Sequence, residues 1–258
     1  MQAIFITGGG SGIGRATAQL FASRGWRVGL ADINEAGMVE TARLIGDAPV
    51  STHWLDVRDR GGWDEALAEF ASVSGGRIDV VFNNAGVGVG GDFASTTTDE
   101  LQRCVDINLM GVVWGAHAGH RYLKESRGCL VNTASAAGIY GTSGVAIYSA
   151  TKFAVRGLSE ALDGEWTNQG IRVRALLPSF IDTAILDGTP VGSNHSMRDR
   201  VRGAGLEFTP VETAAQTVWD AVHGDGLHYL VGKTARRMWF GARFLRGSMR
   251  KMARAGSK

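Results

Sequence analysis

A phenol and an ammonium stand four residues apart in Tyr148-Ser-Ala-Thr-Lys152, and a hydroxyl, Ser135, lies thirteen positions upstream. Four residues is just over one helical turn, so Tyr148 and Lys152 project from one helix face and can act on a single substrate atom. A phenol that gives and takes a proton near neutrality must lose about three units from its usual pKa of about 10, roughly 4 kcal/mol. A cation about 5 Å away at an effective dielectric near 20 supplies roughly 3 kcal/mol of that. Lys152 is the candidate cation, Tyr148 the candidate general acid/base, and Ser135 a candidate hydrogen-bond donor to an oxygen on which charge develops. With four tyrosines and five lysines in the chain, such a pair arises by chance in roughly one chain in ten, so its weight comes from the motifs around it.

The chain opens on Ala3-Ile4-Phe5-Ile6-Thr7 followed by Gly8-Gly9-Gly10-Ser11-Gly12-Ile13-Gly14. An apolar strand running into spaced glycines and then a helix is the context of a dinucleotide turn: backbone approaches a pyrophosphate that faces the helix N-terminus. Asp32, ending the second apolar run, can accept both hydroxyls of an adenosine ribose, whereas a 2′-phosphate there would meet like charge. NAD is therefore favoured over NADP, and Arg15 is the nearby cation that would reverse the preference. Asp56 and Val57 are placed to hold the adenine, and the corner Asn83-Asn84-Ala85-Gly86 lets backbone approach the cofactor, although Asn and Gly favour plain turns as well. With NAD as hydride acceptor, loss of a hydride from an alcohol carbon requires loss of the hydroxyl proton, which is the task of Tyr148.

These groups need a scaffold. Val28-Gly29-Leu30-Ala31, Val80-Val81-Phe82 and Leu130-Val131 alternate with stretches of helical period such as 16–23 and 63–70, a βαβ rhythm whose continuous apolar strands fit a parallel sheet covered on both faces. Further strands are expected near 52–57, 171–177 and 228–231, and long helices over 98–122, 148–168 and 211–222. The expected fold is α/β, a single-domain Rossmann-type doubly wound parallel sheet of about seven strands flanked by helices. Residues 1–232 form the catalytic domain, 183–210 a substrate loop with one short helix, and 233–258 a basic amphipathic tail. At 258 residues, 44% hydrophobic, with four prolines and no linker or repeat, the chain suits one large domain. No apolar run approaches the roughly 20 residues of a membrane span, and Met1 leads almost directly into a strand, so a cytoplasmic protein is expected. Cys104 and Cys129 lack metal-ligand spacing and read as inert buried thiols, and His117 and His120 read as packed or solvated side chains, so no metal is expected.

Thr-Gly-x-x-x-Gly-x-Gly, Asn-Asn-Ala-Gly, the asparagine of Asp106-Ile107-Asn108, Ser135 and Tyr-x-x-x-Lys follow in order over 3–232, and in this the chain resembles the short-chain dehydrogenase/reductase family in its branch of about 250 residues. The resemblance implies that Lys152 also binds the nicotinamide ribose and that Asn108 bends its helix and holds a water linking Lys152 to solvent. It implies further that Ile181 backbone and the Thr183 hydroxyl contact the carboxamide or a phosphate of NAD, and that the protein is a homotetramer packed through the helices around Asn108 and after Tyr148. Leu109, Val112, Val113, Leu158 and Leu162 supply either contact surface or core there. One departure stands out: the family's usual Pro-Gly after the sixth strand is Pro178-Ser179 here, at the nicotinamide-side backbone.

The leading reading is an NAD-dependent oxidoreductase of a secondary alcohol or its ketone. The competing class is a non-enzymatic NAD-sensing protein, which has no physical use for a perturbed tyrosine. An epimerase or dehydratase normally needs a larger substrate domain. Ala136, Ile139, Tyr140, Val145, Phe180, Ile185 and Leu186 suggest a hydrophobic alcohol, while the run Arg198, Arg200, Arg202 points either to an anionic substrate such as a hydroxyacyl thioester or to a solvated helix face. Lys233 to Lys258 holds nine Lys/Arg and no acid, leaving 18 basic against 25 acidic residues elsewhere, a net of −7. An acidic body excludes a nucleic-acid-binding one. In the tail, Met238, Ala242, Leu245, Met249 and Met252 form one helical stripe opposite Arg243, Arg246, Arg250 and Arg254, with Gly241 and Gly247 weakening the helix. Such a stripe fits peripheral contact with an anionic membrane, docking on a neighbouring subunit, or a solubilising tail.

Overall fold

Seven short strands form the sheet, and the apolar ones at its centre are buried on both faces. β1 (Ala3–Thr7), β2 (Arg27–Asp32), β3 (Val50–Trp54), β4 (Val80–Asn83), β5 (Cys129–Thr133), β6 (Arg172–Pro178) and β7 (His228–Val231) are all parallel, in the order β3-β2-β1-β4-β5-β6-β7. The computed structural model describes residues 1–255; the end of the basic tail, 256–258, lies outside them. Every residue of β1, β4 and β5 is buried, as an unbroken apolar pattern requires of strands covered on both sides. β3 lies two residues earlier than its composition suggests, because the chain turns at Asp56, whose carbonyl accepts from the Asp59 N–H, and Asp59 then caps the next helix through the Gly61 N–H.

Helices α1 (Gly12–Ser23), α2 (Glu35–Ile45) and α8 (Val211–His223) pack Phe21, Met38 and Val218 on Ile4, Ile6, Leu30 and Phe82. On the opposite face α3 (Arg60–Val73), α5 (Gly111–Ser126) and α6 (Ala146–Trp166) pack Trp63, Phe70, Leu123 and Trp166 on Phe5, Val81, Leu130 and Val173. The strand order reverses between β1 and β4, which opens a crevice at the carboxyl ends of the strands.

The helix expected over 98–122 is two helices. α4 (Thr98–Val105), started by a capping box between Thr97 and Glu100, meets α5 through a wide π-type turn at Asp106–Met110 that carries Asn108. The segment 183–210 holds a 3₁₀ turn at Ala184–Asp187 and one short helix, α7 (Met197–Gly203).

The tail is likewise two helices instead of one stripe: α9 (Lys233–Phe244) and α10 (Arg246–Ala255), broken at Leu245. Met238 and Ala242 pack with Ala235 and Trp239 against the body, while Leu245 is exposed. Met249 is buried because α10 folds back and sets its sulfur where a side chain on Gly241 would stand, 2.7 Å from that Cβ position. Gly241 is thus the contact that breaks the stripe. The side chains of Arg246, Met252 and Arg254 lie outside the described ones.

Candidate active site

The glycine turn joins β1 to α1. A side chain on Gly14 would collide with the Gly8 carbonyl and stand 2.9 Å from Asn84 Nδ2, so only glycine lets the first turn of α1 close on both. Ser11 caps α1 without a side-chain hydrogen bond. Gly12 and Ile13 are half-buried, and the turn borders a cavity of about 380 Å³ lined by Ser11, Gly12, Arg15 and Thr183 together with Asp182 and Glu212. Uncapped helical N–H groups over a polar cavity are a donor set for phosphate. The β4 corner is held by Thr7, whose hydroxyl accepts from the Asn84 and Ala85 N–H groups at 3.0 and 3.1 Å while its carbonyl accepts from Asn84 Nδ2 at 3.0 Å. Thr7 thus has a role beyond ending β1; its place before the first glycine was the signal.

Asp32 accepts from the Gly10 N–H and the Asn34 N–H, both at 3.0 Å, which sets its carboxylate beside the turn. Arg15 donates to the Gly10 and Gly37 carbonyls and to Thr41 Oγ1, so its guanidinium staples the turn to α2. Asp56 is paired with Arg58 at 2.5 Å, and this hydrogen bond holds its carboxyl below the usual range. Val57 is buried, and its carbonyl accepts from the Trp63 indole at 3.0 Å. Across the crevice, Thr183 lies over the glycine turn, its methyl 3.1 Å from where a Gly12 Cβ would stand, and its hydroxyl is 3.4 Å from the Ile181 carbonyl. Ile181 itself is buried and bridges to Thr209. Pro178 ends β6, and the Ser179 hydroxyl donates to the Val231 carbonyl at 3.0 Å. The departure from Pro-Gly therefore ties this backbone to β7.

Lys152 and Ser135 are buried and Tyr148 half-buried. The Lys152 ammonium donates to the Thr133 carbonyl at 2.9 Å and lies 5.6 Å from the centre of the Tyr148 ring. Burial lowers Lys152 to about 8. The expected lowering of Tyr148 is not seen in the free protein: burial holds its phenol above the ordinary value, and only the Ser135 hydroxyl pulls the other way. Ser135 otherwise caps the turn at Ala136–Gly138 by accepting from the Ala137 N–H. Asn108 is fully buried; its amide accepts from the Val87 N–H at 2.8 Å and donates to the Val87 carbonyl at 2.9 Å, with Cys104 Sγ at 3.4 Å. Gly86 separates the two polar groups: its Cβ position is 3.1 Å from Asn108 Oδ1 and 3.7 Å from Lys152 Nζ. Thr133 and Val87 act here through backbone, which no side-chain pattern discloses.

On the substrate side Ala136, Ile139 and Leu186 are buried, Tyr140, Val145 and Phe180 half-buried, and Ile185 exposed. Gly88–Gly91 latches this region: the Val191 N–H donates to the Gly90 carbonyl at 2.8 Å, and the Gly91 N–H to the Gly144 carbonyl at 2.7 Å. Arg198 spends its guanidinium on Asp182, Asp187 and the Thr183 carbonyl, and Arg202 lies 3.6 Å from Asp199. Among the described residues no group of acids, histidines and cysteines could hold a metal ion, and no helix is long and apolar enough to cross a membrane.

A crevice at a strand-order reversal, a glycine turn at a helix N-terminus and a Ser-Tyr-Lys cluster with Tyr148 half-buried are the arrangement of a nicotinamide-dependent oxidoreductase, and comparison with known proteins agrees on that class. The family model described as short chain dehydrogenase matches residues 2–190. The chain belongs to the short-chain dehydrogenase/reductase family. It is 33% identical over 214 residues to meso-2,3-butanediol dehydrogenase of Serratia marcescens, covering 83% of this chain and 84% of that one. With levodione reductase of Leifsonia aquatica it shares 37% identity over 194 residues, 73% and 72% of the two chains. A crystal structure of a family member from Burkholderia phymatum in complex with NAD superposes with a TM-score of 0.84 at 25% identity, covering 97% of this chain and 95% of that one.

Proposed function

We propose that the protein interconverts a hydrophobic secondary alcohol and its ketone with NAD, Tyr148 serving as general acid/base. The observation that carries this reading is the convergence of Ser135, Tyr148 and Lys152 where β5 and α6 meet the crevice, with Asn108 and Gly86 behind them. Gly8, Ser11, Gly12, Ile13 and Gly14 would hold the pyrophosphate, Asp32 the adenosine ribose, and Asp56 and Val57 the adenine. Asn84, Ala85, Gly86, Tyr148, Lys152, Pro178, Ile181 and Thr183 would hold the nicotinamide half. When bound, the oxidised ring supplies a hydride-accepting carbon and a positive charge.

Lys152 stands close enough to Tyr148 to favour its phenolate when protonated, and Ser135 donates to the substrate oxygen. Asn108 acts at one remove: its two bonds to Val87 fix the corner that shields Lys152. NAD is preferred to NADP because Arg15, the cation that could offset Asp32, is engaged by the turn and α2. Relatives named for butanediol and levodione support a small alcohol or ketone, and the pairing of Arg198 with two carboxylates argues against an anionic thioester. The same reading makes the protein a homotetramer packed through α4, α5 and α6. Val112 belongs to the core, and Leu109, Leu158 and Leu162 pack partly on it, which leaves half-buried Val113 and exposed Phe153 as contact surface. Tyr148→Phe tests the chemistry: NAD affinity should stay within a few-fold while turnover across a panel of secondary alcohols falls at least about a hundredfold. Retained turnover would remove Tyr148 from its role.

A further inference from the structure

The side of α9 turned away from the core is both basic and aromatic. Ala235, Met238, Trp239 and Ala242 pack inward, which leaves Arg236, Arg237, Phe240, Arg243 and Phe244 exposed. Phe240 and Phe244 are 57% and 62% exposed, their rings lie 4.9 Å apart, and Leu245 at 51% extends the patch. α10 adds exposed Arg250 and Lys251 beside it. Three large apolar side chains set together in solvent on a strongly charged surface mark an interaction site.

We propose that this face docks on a bilayer of anionic phospholipid, with Phe240, Phe244 and Leu245 at the boundary between headgroups and acyl chains and the arginines on lipid phosphates. Charge selects the occupant. From Lys233 to Lys258 there are nine basic residues and no acid, and on α9 they flank exposed aromatic rings, the composition of a helix that lies in an anionic lipid interface. One sign over two consecutive helices fits a partner whose charge is uniform across a plane. The net −7 of the rest of the chain would keep the body off such a surface, so the docking is confined to this face.

The start of α9 is also bound to the segment beside the substrate side. The Glu207 carboxylate accepts from the Thr234 N–H at 2.6 Å and from its hydroxyl at 2.8 Å. Docking through α9 therefore brings the end of that segment toward the lipid, a placement that suits an alcohol dissolved in the bilayer. The docking itself does not depend on the substrate reading.

The test is co-sedimentation of the full-length protein with vesicles of mixed phosphatidylcholine and phosphatidylglycerol, and with phosphatidylcholine alone. Partitioning should be at least about tenfold stronger on the anionic vesicles and should fall as salt is raised. Phe240→Ser with Phe244→Ser should weaken it by about tenfold or more with unchanged thermal midpoint and alcohol turnover, because both rings already face solvent. Should that variant fold poorly, Arg236→Gln with Arg237→Gln should give the same loss. Equal sedimentation with both vesicle types, none with either, or wild-type sedimentation of both variants overturns the proposal. A fall in the light-scattering mass of the aromatic variant with vesicle binding intact assigns the face to a second copy of the chain, and also overturns it.

Discussion

Replacing Lys152 by methionine should change how stability depends on pH more than it changes stability at neutrality. The side chain is 3% exposed, and its burial brings the ammonium from an ordinary 10.5 to about 8. That lowering corresponds to about 3 kcal/mol of destabilisation carried by the folded state while the lysine is charged. Below pH 8 both folded and unfolded chains hold the proton, and the cost is fully present. Between about 8 and 10.5 the unfolded chain holds more protons than the folded one, so stability rises with pH. A thioether in its place cannot show this rise. The Lys152→Met variant gains about 3 kcal/mol at neutral pH but leaves the Thr133 carbonyl without its 2.9 Å donor, which returns about 1–3 kcal/mol. The variant should therefore lead by about 0–2 kcal/mol near pH 7, and wild type should lead by about 1–3 kcal/mol near pH 10. Tyr148, held above its ordinary value, makes stability fall above about pH 10 in both proteins and so largely cancels in the difference. Urea unfolding of the cofactor-free proteins across this range supplies the comparison. Parallel stability curves would show that burial does not depress the Lys152 ammonium and would refute the pH dependence worked out here.

Asp32→Ala should narrow the preference for NAD over NADP in kcat/KM, because it removes both the ribose acceptor and the repulsion of a 2′-phosphate; a wild-type enzyme that already prefers NADP would refute the reading of Asp32. Light scattering at micromolar concentration should give the mass of a tetramer of the 27.4 kDa chain, and a monomer mass would exclude packing through α4, α5 and α6.

Features set by neighbours in the chain were legible before the structure. The strand, glycine turn and helix that open the fold, and α6 with Tyr148 and Lys152 one turn apart, each rest on local spacing. What escaped rests on partners distant in sequence. The Lys152 amine is met by a backbone carbonyl nineteen residues away, and Asn108 by a backbone segment twenty-one residues away, and a carbonyl carries no compositional mark. The run Arg198, Arg200, Arg202 left an anionic substrate and a solvated helix face both open, and Asp182 and Asp187, sixteen and eleven residues upstream of Arg198, are what take up its guanidinium. The tail kept a helical period through Leu245, yet the absent side chain of Gly241 gave Met249 a closer place to pack.

The wide turn at Asp106–Met110 has a consequence for chain length. A regular helix advances about 100° per residue, and a π-type turn accommodates one residue beyond the α-helical repeat. α5 is phased so that Gly115 and Gly119 face Asn83 and Val81 on β4; a Cβ on Gly115 would collide with Asn83 Oδ1, and one on Gly119 would stand 3.1 Å from a Val81 methyl. Deleting one residue between 106 and 110 would let α4 run into α5 as an ordinary helix with the phase of α5 kept, because the π-type turn already absorbs that extra residue. The segment that presents Asn108 thus carries one residue more than a continuous helix would need, and what a deletion there would disturb is the seat of the buried Asn108 amide on the Val87 backbone.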